Sequence, residues 1–176
     1  MAYTPQTSVT DRVTRIQGRI HPAEPVITSS RTADGATAID PGMAVIKSTA
    51  DRDVILPAAT FSIIAFQGVA AWSPMDKEKA ISTGDKSYVA NDELTIIEDG
   101  VVEVLVTDTV AKDGLVYFVH TTGGSSTLHT FRSDLDTDKA DIIPAVFLED
   151  GVTGDIVQIR ISQGARTASL IYSAIV

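Results

Sequence analysis

Asp134, Asp136, Asp138 and Asp141 stand close together in one polar stretch, the densest set of possible cation ligands in the chain. Carboxylates spaced in this way on a loop can converge on a hard cation such as Ca²⁺. An EF-hand loop beginning at Asp134 needs Gly where Lys139 stands and a bidentate Glu where Ala145 stands. Both are missing, so the expectation is a solvated acidic loop, and no metal is assigned. His21, His120 and His129 lie far apart in sequence and show no HxxxH or HxH spacing, so they give no zinc motif. The chain has no GxSxG elbow and no suitably placed Ser-x-x-Lys set for a nucleophile. Gly123-Gly124 sits in the Ser/Thr-rich run 121–127, with no following helix and Lys to make a phosphate cradle. Trp72 and Tyr88 could form a sugar platform or equally belong to a core or an interface. No catalytic, cofactor-binding or metal residue is assigned, and an enzyme is not expected.

The elements that would position such residues read as strands. Asp-Gly occurs at 34–35, 99–100, 113–114 and 150–151. Asp bonds its own turn backbone and Gly accepts positive φ, so the dipeptide is a strong turn signal. Runs 101–106 and 115–120 follow two of these turns, and 145–148 and 155–162 bracket another. Asp40-Pro41-Gly42 is a further tight turn, between runs 36–39 and 43–47. Val102, Val104 and Val106 alternate with Glu103, and Val157, Ile159 and Ile161 alternate with Gln158 and Arg160. A one-residue slip would expose either apolar set, so register is well specified there. Run 62–72 is the longest apolar stretch and fits a strand covered on both faces. Residues 75–79 could make a helical turn within the polar stretch 73–84. The fold expected is an all-β body, a small barrel or sandwich.

Length and composition agree. A chain of 176 residues suits one domain, or one domain with an arm. It is 44% hydrophobic but only 6% aromatic, so the core must be built from Val, Ile, Leu and Ala on short strands. With no cysteine, disulfides, thiolate metal sites and Cys nucleophiles are excluded. There is no apolar run of about 18 residues and no charged start with an apolar centre, so neither a membrane span nor a secretory signal is expected.

The net charge of −9 is unevenly placed. Residues 1–72 hold six Lys/Arg and six Asp/Glu, leaving eight against 17 for residues 73–176. Such an acidic body argues against a nucleic-acid partner. Near the start, Arg12, Arg15 and Arg19 face only Asp11, which suggests a segment that docks on something acidic. Residues 1–22 are read as an extended N-terminal arm and 23–176 as the body. Val9, Val13, Ile16 and Ile20 fall at helical spacing, but the β-branched content and Gly18 favour an extended backbone. The last stretch carries Leu170, Ile171, Tyr172, Ile175 and Val176, an apolar set that needs a sheet or a partner to cover it.

Taken in order, these features resemble a known family. The polar segment with Gly18 leads to Ala38-Ile39-Asp40-Pro41-Gly42-Met43-Ala44-Val45. Then come Phe66-Gln67-Gly68-Val69-Ala70, runs 101–106 and 115–119, and finally 145–149 with 154–161. Across residues 18–162 the chain resembles the structural cement, or head-decoration, proteins of tailed bacteriophages. The resemblance implies a small β-barrel or β-tulip-like body without catalytic residues, usually a homotrimer, clamped on the outer surface of an assembled capsid. The implied partners are the major capsid protein and other copies of the chain, with no nucleic acid, membrane or cofactor. Arm residues Val9, Arg12, Val13, Arg15, Ile16, Arg19 and Ile20 are the expected capsid contacts. Leu170, Ile171, Tyr172, Ile175 and Val176 are the expected oligomer interface. The competing reading is a carbohydrate- or receptor-binding module of a tail or fibre.

Overall fold

The computed structural model describes residues 15–22, 24–58, 63–72, 87–122 and 127–162. Among these the chain is all-β: β1 (Ile27–Ala33), β2 (Ala44–Lys47), β3 (Asp53–Ile55), β4 (Phe66–Ala70), β5 (Glu93–Leu105), β6 (Leu115–Val119), β7 (Phe131–Arg132), β8 (Ala140–Phe147) and β9 (Ile156–Ile161), with one 3₁₀ turn at Ile63–Ala65. Strands β1-β3-β2-β4-β5 form a ring that closes when β5 pairs back onto β1, giving a five-stranded barrel. Only the β1–β3 pair is parallel. A second sheet runs β5-β9-β8-β6-β7, and a bridge from Val106 to Phe131 curls β7 back towards the end of β5. Closing sheets in this way leaves few open edges for unwanted pairing.

Strand β5 joins the two halves, and here the sequence expectation is corrected. Asp99-Gly100 is not a turn between two strands: β5 runs through it for thirteen residues. Pairing with β1 steps from Ile27–Asp99 to Thr28–Ile97, so Glu98 is the extra residue of a bulge. Gly100 has φ +130, and a Cβ there would lie 3.0 Å from Val26 Cγ2 and 3.2 Å from the Pro25 carbonyl oxygen. The positive φ that Asp-Gly advertises serves a bend within a strand as readily as a turn. The bend hands β5 from the barrel, where it pairs with β1 and β4, to the second sheet, where Gly100–Leu105 pair with β9.

Two cores follow from this division. Ala33, Ile39, Val45, Val54, Leu94 and Ile96 fill the barrel. Val102, Val104, Val106, Val157, Ile159 and Ile161 meet Phe118, Phe131 and Phe147 in the second core. Both expected alternations are therefore buried. Run 36–39 is not a strand and, among the described residues, pairs with the chain again only through one bridge, Ile39 to Tyr88. The apolar stretch 62–72 contributes only β4 and the 3₁₀ turn. Residues 73–84, with the suggested turn at 75–79, lie outside the described residues.

Candidate arm-docking cleft

Glu103 lies between valines on β5, where alternation points it to solvent, yet it is only 7% exposed. The cover is the chain's own beginning. Residues 15–22 lie along the edge of β5 opposite β9. The Gly18 amide donates to the Glu103 carbonyl (2.7 Å), the Glu103 amide to the Arg19 carbonyl (3.1 Å) and the His21 amide to the Val101 carbonyl (3.1 Å), with Ile20 facing Val102. The Glu103 carboxylate accepts the Ile16 amide at 2.9 Å. A buried carboxylate is tolerable only with such donors. Ile20 packs against the second core.

Gly18 fixes the path. Its φ is +80, and a Cβ would lie 2.7 Å from both the Gly42 nitrogen and Pro41 Cβ. Its carbonyl accepts the Trp72 amide at 2.8 Å. The Asp40-Pro41-Gly42 turn expected from the sequence is thus the surface on which the segment turns. At the far end, Arg15 grips the loop between β8 and β9. Both terminal nitrogens meet the Glu149 carboxylate, Nη2 to Oε2 at 2.8 Å, and Nη1 also donates to the Ile156 carbonyl at 2.8 Å. Between segment and body lies a cleft of about 1140 Å³, lined by Arg15, Arg19, Glu103, Glu149, Asp150 and Asp155 among others.

The hydrogen bond from Arg15 holds the Glu149 carboxyl below its ordinary value of 4.5, helped by the Gln158 amide and opposed by burial. A carboxylate depressed in the folded state adds stability above its unfolded pKa and loses it as pH falls through the folded one. Arg15 is 39% exposed, so the pair is screened and Arg15→Ala is expected to cost only about 0.2–1 kcal/mol at neutral pH. Urea midpoints of the two proteins should converge as acid protonates Glu149. A gap that persists below that transition would assign the effect to packing.

Of the expected arm contacts, Arg15, Ile16, Arg19 and Ile20 occupy this cleft edge, while Val9, Arg12 and Val13 lie outside the described residues. Leu170, Ile171, Tyr172, Ile175 and Val176 also lie outside them.

The acidic loop is organised by a cation that the chain itself supplies. Arg132, with a side chain only 8% exposed, meets Asp134 Oδ1 and Asp136 Oδ2 at 2.7 Å each, with Asp108 at 3.7 Å. Asp136, Thr137 and Asp138 all take positive φ to wrap the loop around it. Asp141 instead faces His120, Oδ2 to Nε2 at 3.3 Å. Among the described residues no three His, Asp or Glu side chains converge in a metal-binding arrangement. Tyr88 is buried, its hydroxyl donating to the Ala71 carbonyl at 2.9 Å, which removes it from any sugar platform.

His129 stacks on Phe118, with ring centroids 6.0 Å apart and planes 10° from parallel. Burial lowers its pKa from 6.5, and Asp40 opposes this weakly. A histidine kept neutral in the fold takes up its proton more readily when unfolded. Stability should therefore fall as pH drops through 6.5 towards the folded pKa. His129→Gln should flatten that part of the profile in pH-dependent urea melts. An unchanged slope would place the titration elsewhere.

The described residues define an all-β body with its own leading segment docked on β5. The family model described as structural cement protein (E217 gp24/Pam3 gp6) matches residues 5–162. The chain belongs to this phage structural cement protein family. A chain from the capsid of Myoviridae phage XM1 superposes with a TM-score of 0.67 at 17% identity, over 93% of this chain and 99% of that one. At that identity the likeness speaks for the fold. No curated protein matches the chain.

Proposed function

We propose that this protein is a non-enzymatic cement that binds the outer surface of an assembled phage head and stabilises it. The observation that carries the reading is the family match over residues 5–162, which makes the chain a capsid-associated structural protein. The partner is the major capsid protein, and the body works as a homotrimer. The fold shared with a chain of a phage capsid supports the same reading.

Charge favours the outside. The −9 balance is concentrated in residues 73–176, and packaged nucleic acid would repel such a body on the inner face. In this reading residues 1–22 are the arm, its part from 15 to 22 is held on the body, and Val9, Arg12 and Val13 are its contacts with the shell. A ligand that binds only the assembled shell stabilises it by mass action, by about 2.7 kcal/mol per site at a hundredfold excess over Kd. Linking arm and body in one chain raises the effective concentration of the second contact.

Co-sedimentation with emptied shells and with free coat subunits tests the reading. The protein should pellet with shells and ignore subunits, and a tag on the body should be open to antibody on intact particles. Equal binding to free subunits, or a tag that antibody cannot reach, would overturn it.

A further inference from the structure

Strand β1 is longer than the barrel needs. Its partner β3 covers only Thr32 and Ala33, so residues 27–31 pair with β5 on one edge and, among the described residues, have no strand on the other. The direction of the free edge can be read from the ladder. The Thr32 amide points to β3, donating to the Arg52 carbonyl at 3.1 Å, while the Ala33 amide points the other way, to the Asp92 carbonyl at 2.8 Å. Backbone groups alternate along a strand, so those of Thr28 and Ser30 face the open edge with those of Thr32. The opposite strand agrees: Thr95, which faces Ser30, turns its carbonyl away to the Ala71 amide at 2.8 Å.

Thr28 and Ser30 are exposed, and neither has a backbone partner across this edge among the described residues. Ile27 beside them is 60% exposed. Natural edges are usually blunted by Lys, Pro or an inward charge. Ile27-Thr28-Ser29-Ser30 has none, and Arg31 is tied back to Glu98 at 3.2 Å. An open, unguarded edge of this kind is built to accept a strand.

We infer that residues 168–176 of a second copy add to this edge as a strand. The sequence Ala168-Ser169-Leu170-Ile171-Tyr172-Ser173-Ala174-Ile175-Val176 has no charge and is rich in β-branched and aromatic residues. At about 3.3 Å per residue it exceeds the five-residue edge it would cover. The chain leaves β9 opposite Gly100, on the edge of β5 away from β1. Its own tail would have to cross the face of the sheet, whereas a neighbour's tail need not. Donation from one copy to the next is a head-to-tail contact, and it leaves no free edge only in a closed ring such as a trimer. The inference deepens the self-association part of the proposed function and does not depend on capsid binding.

The chain has no cysteine, so a disulfide can report this contact alone. Thr28→Cys in one chain should be mixed in free solution with Leu170→Cys, Ile171→Cys, Tyr172→Cys or Ser173→Cys in another. Oxidation should give mixed dimers in excess over either variant alone for at least one pairing. Ser30→Pro added to the Thr28→Cys chain should abolish them, because the lost amide faces the open edge and the β5 ladder is spared. If Ser30→Pro disturbs the circular dichroism, Ser30→Lys tests the same edge with the backbone intact. No mixed dimer at any pairing overturns the inference. So does a disulfide that forms only within one chain carrying both substitutions. Because capsids are absent from the assay, failure of the decoration reading would not alter its outcome.

Discussion

Phe118→Ala is expected to destabilise the body by about 3–5 kcal/mol, the usual cost of emptying an aromatic site that cannot collapse. Phe118 is fully buried on β6, 5.3 Å from the Phe131 ring and stacked on His129. Phe131 is held on a strand paired with β6, so the gap can close only in part. At roughly 2–4 °C per kcal/mol for a chain of this size, the melting temperature should fall by about 10 °C. Calorimetry would show it, and a fall of only a degree or two would mean that the second core repacks.

The second large effect is expected at Gly18. A side chain there meets Pro41 and Gly42 at 2.7 Å in a backbone conformation that β-branched residues avoid. Gly18→Val should lift residues 15–22 from β5. That would strip Glu103 of the Ile16 amide and expose Ile20. The expected loss is about 3 kcal/mol, combining backbone strain with the lost burial and hydrogen bond. Hydrogen exchange at the Gly18, Glu103 and His21 amides should accelerate while that of β2 and β3 changes little. Wild-type protection at those three amides would show that the segment tolerates a side chain and that the turn at 40–42 yields instead.

The parts of the fold that could be read from sequence are those where a local pattern has only one outcome. Val102, Val104 and Val106, and likewise Val157, Ile159 and Ile161, each specify a strand with one buried face, because a one-residue slip would expose them. That the two strands pair is visible only in the structure. Asp40-Pro41-Gly42 specifies a turn because Pro and Gly each fix a dihedral. Asp99-Gly100 was ambiguous for a physical reason. Positive φ is needed at a bulge as well as at a turn, and only tertiary pairing with β1 decides between them.

The docking cleft was hidden for a different reason. Alternation assigns Glu103 to solvent, since nothing local reveals that residues 15–21 return to cover it. Arg15 reaches a carboxylate 134 positions away, and no spacing rule spans that distance. The acidic loop likewise reads as solvated until Arg132 is found turned inward beneath it. The one signal available was Gly18 itself, a lone glycine in a polar segment that marks a close backbone approach.

The most direct measurement is the temperature at which emptied heads open, followed as purified protein is added back. Binding confined to the assembled shell predicts a rise that follows occupancy and levels off when the sites are full. Gly18→Val, if it still folds, should need more protein for the same rise. Heads that carry a full complement of the protein and yet open at the temperature of bare heads would contradict the cement function.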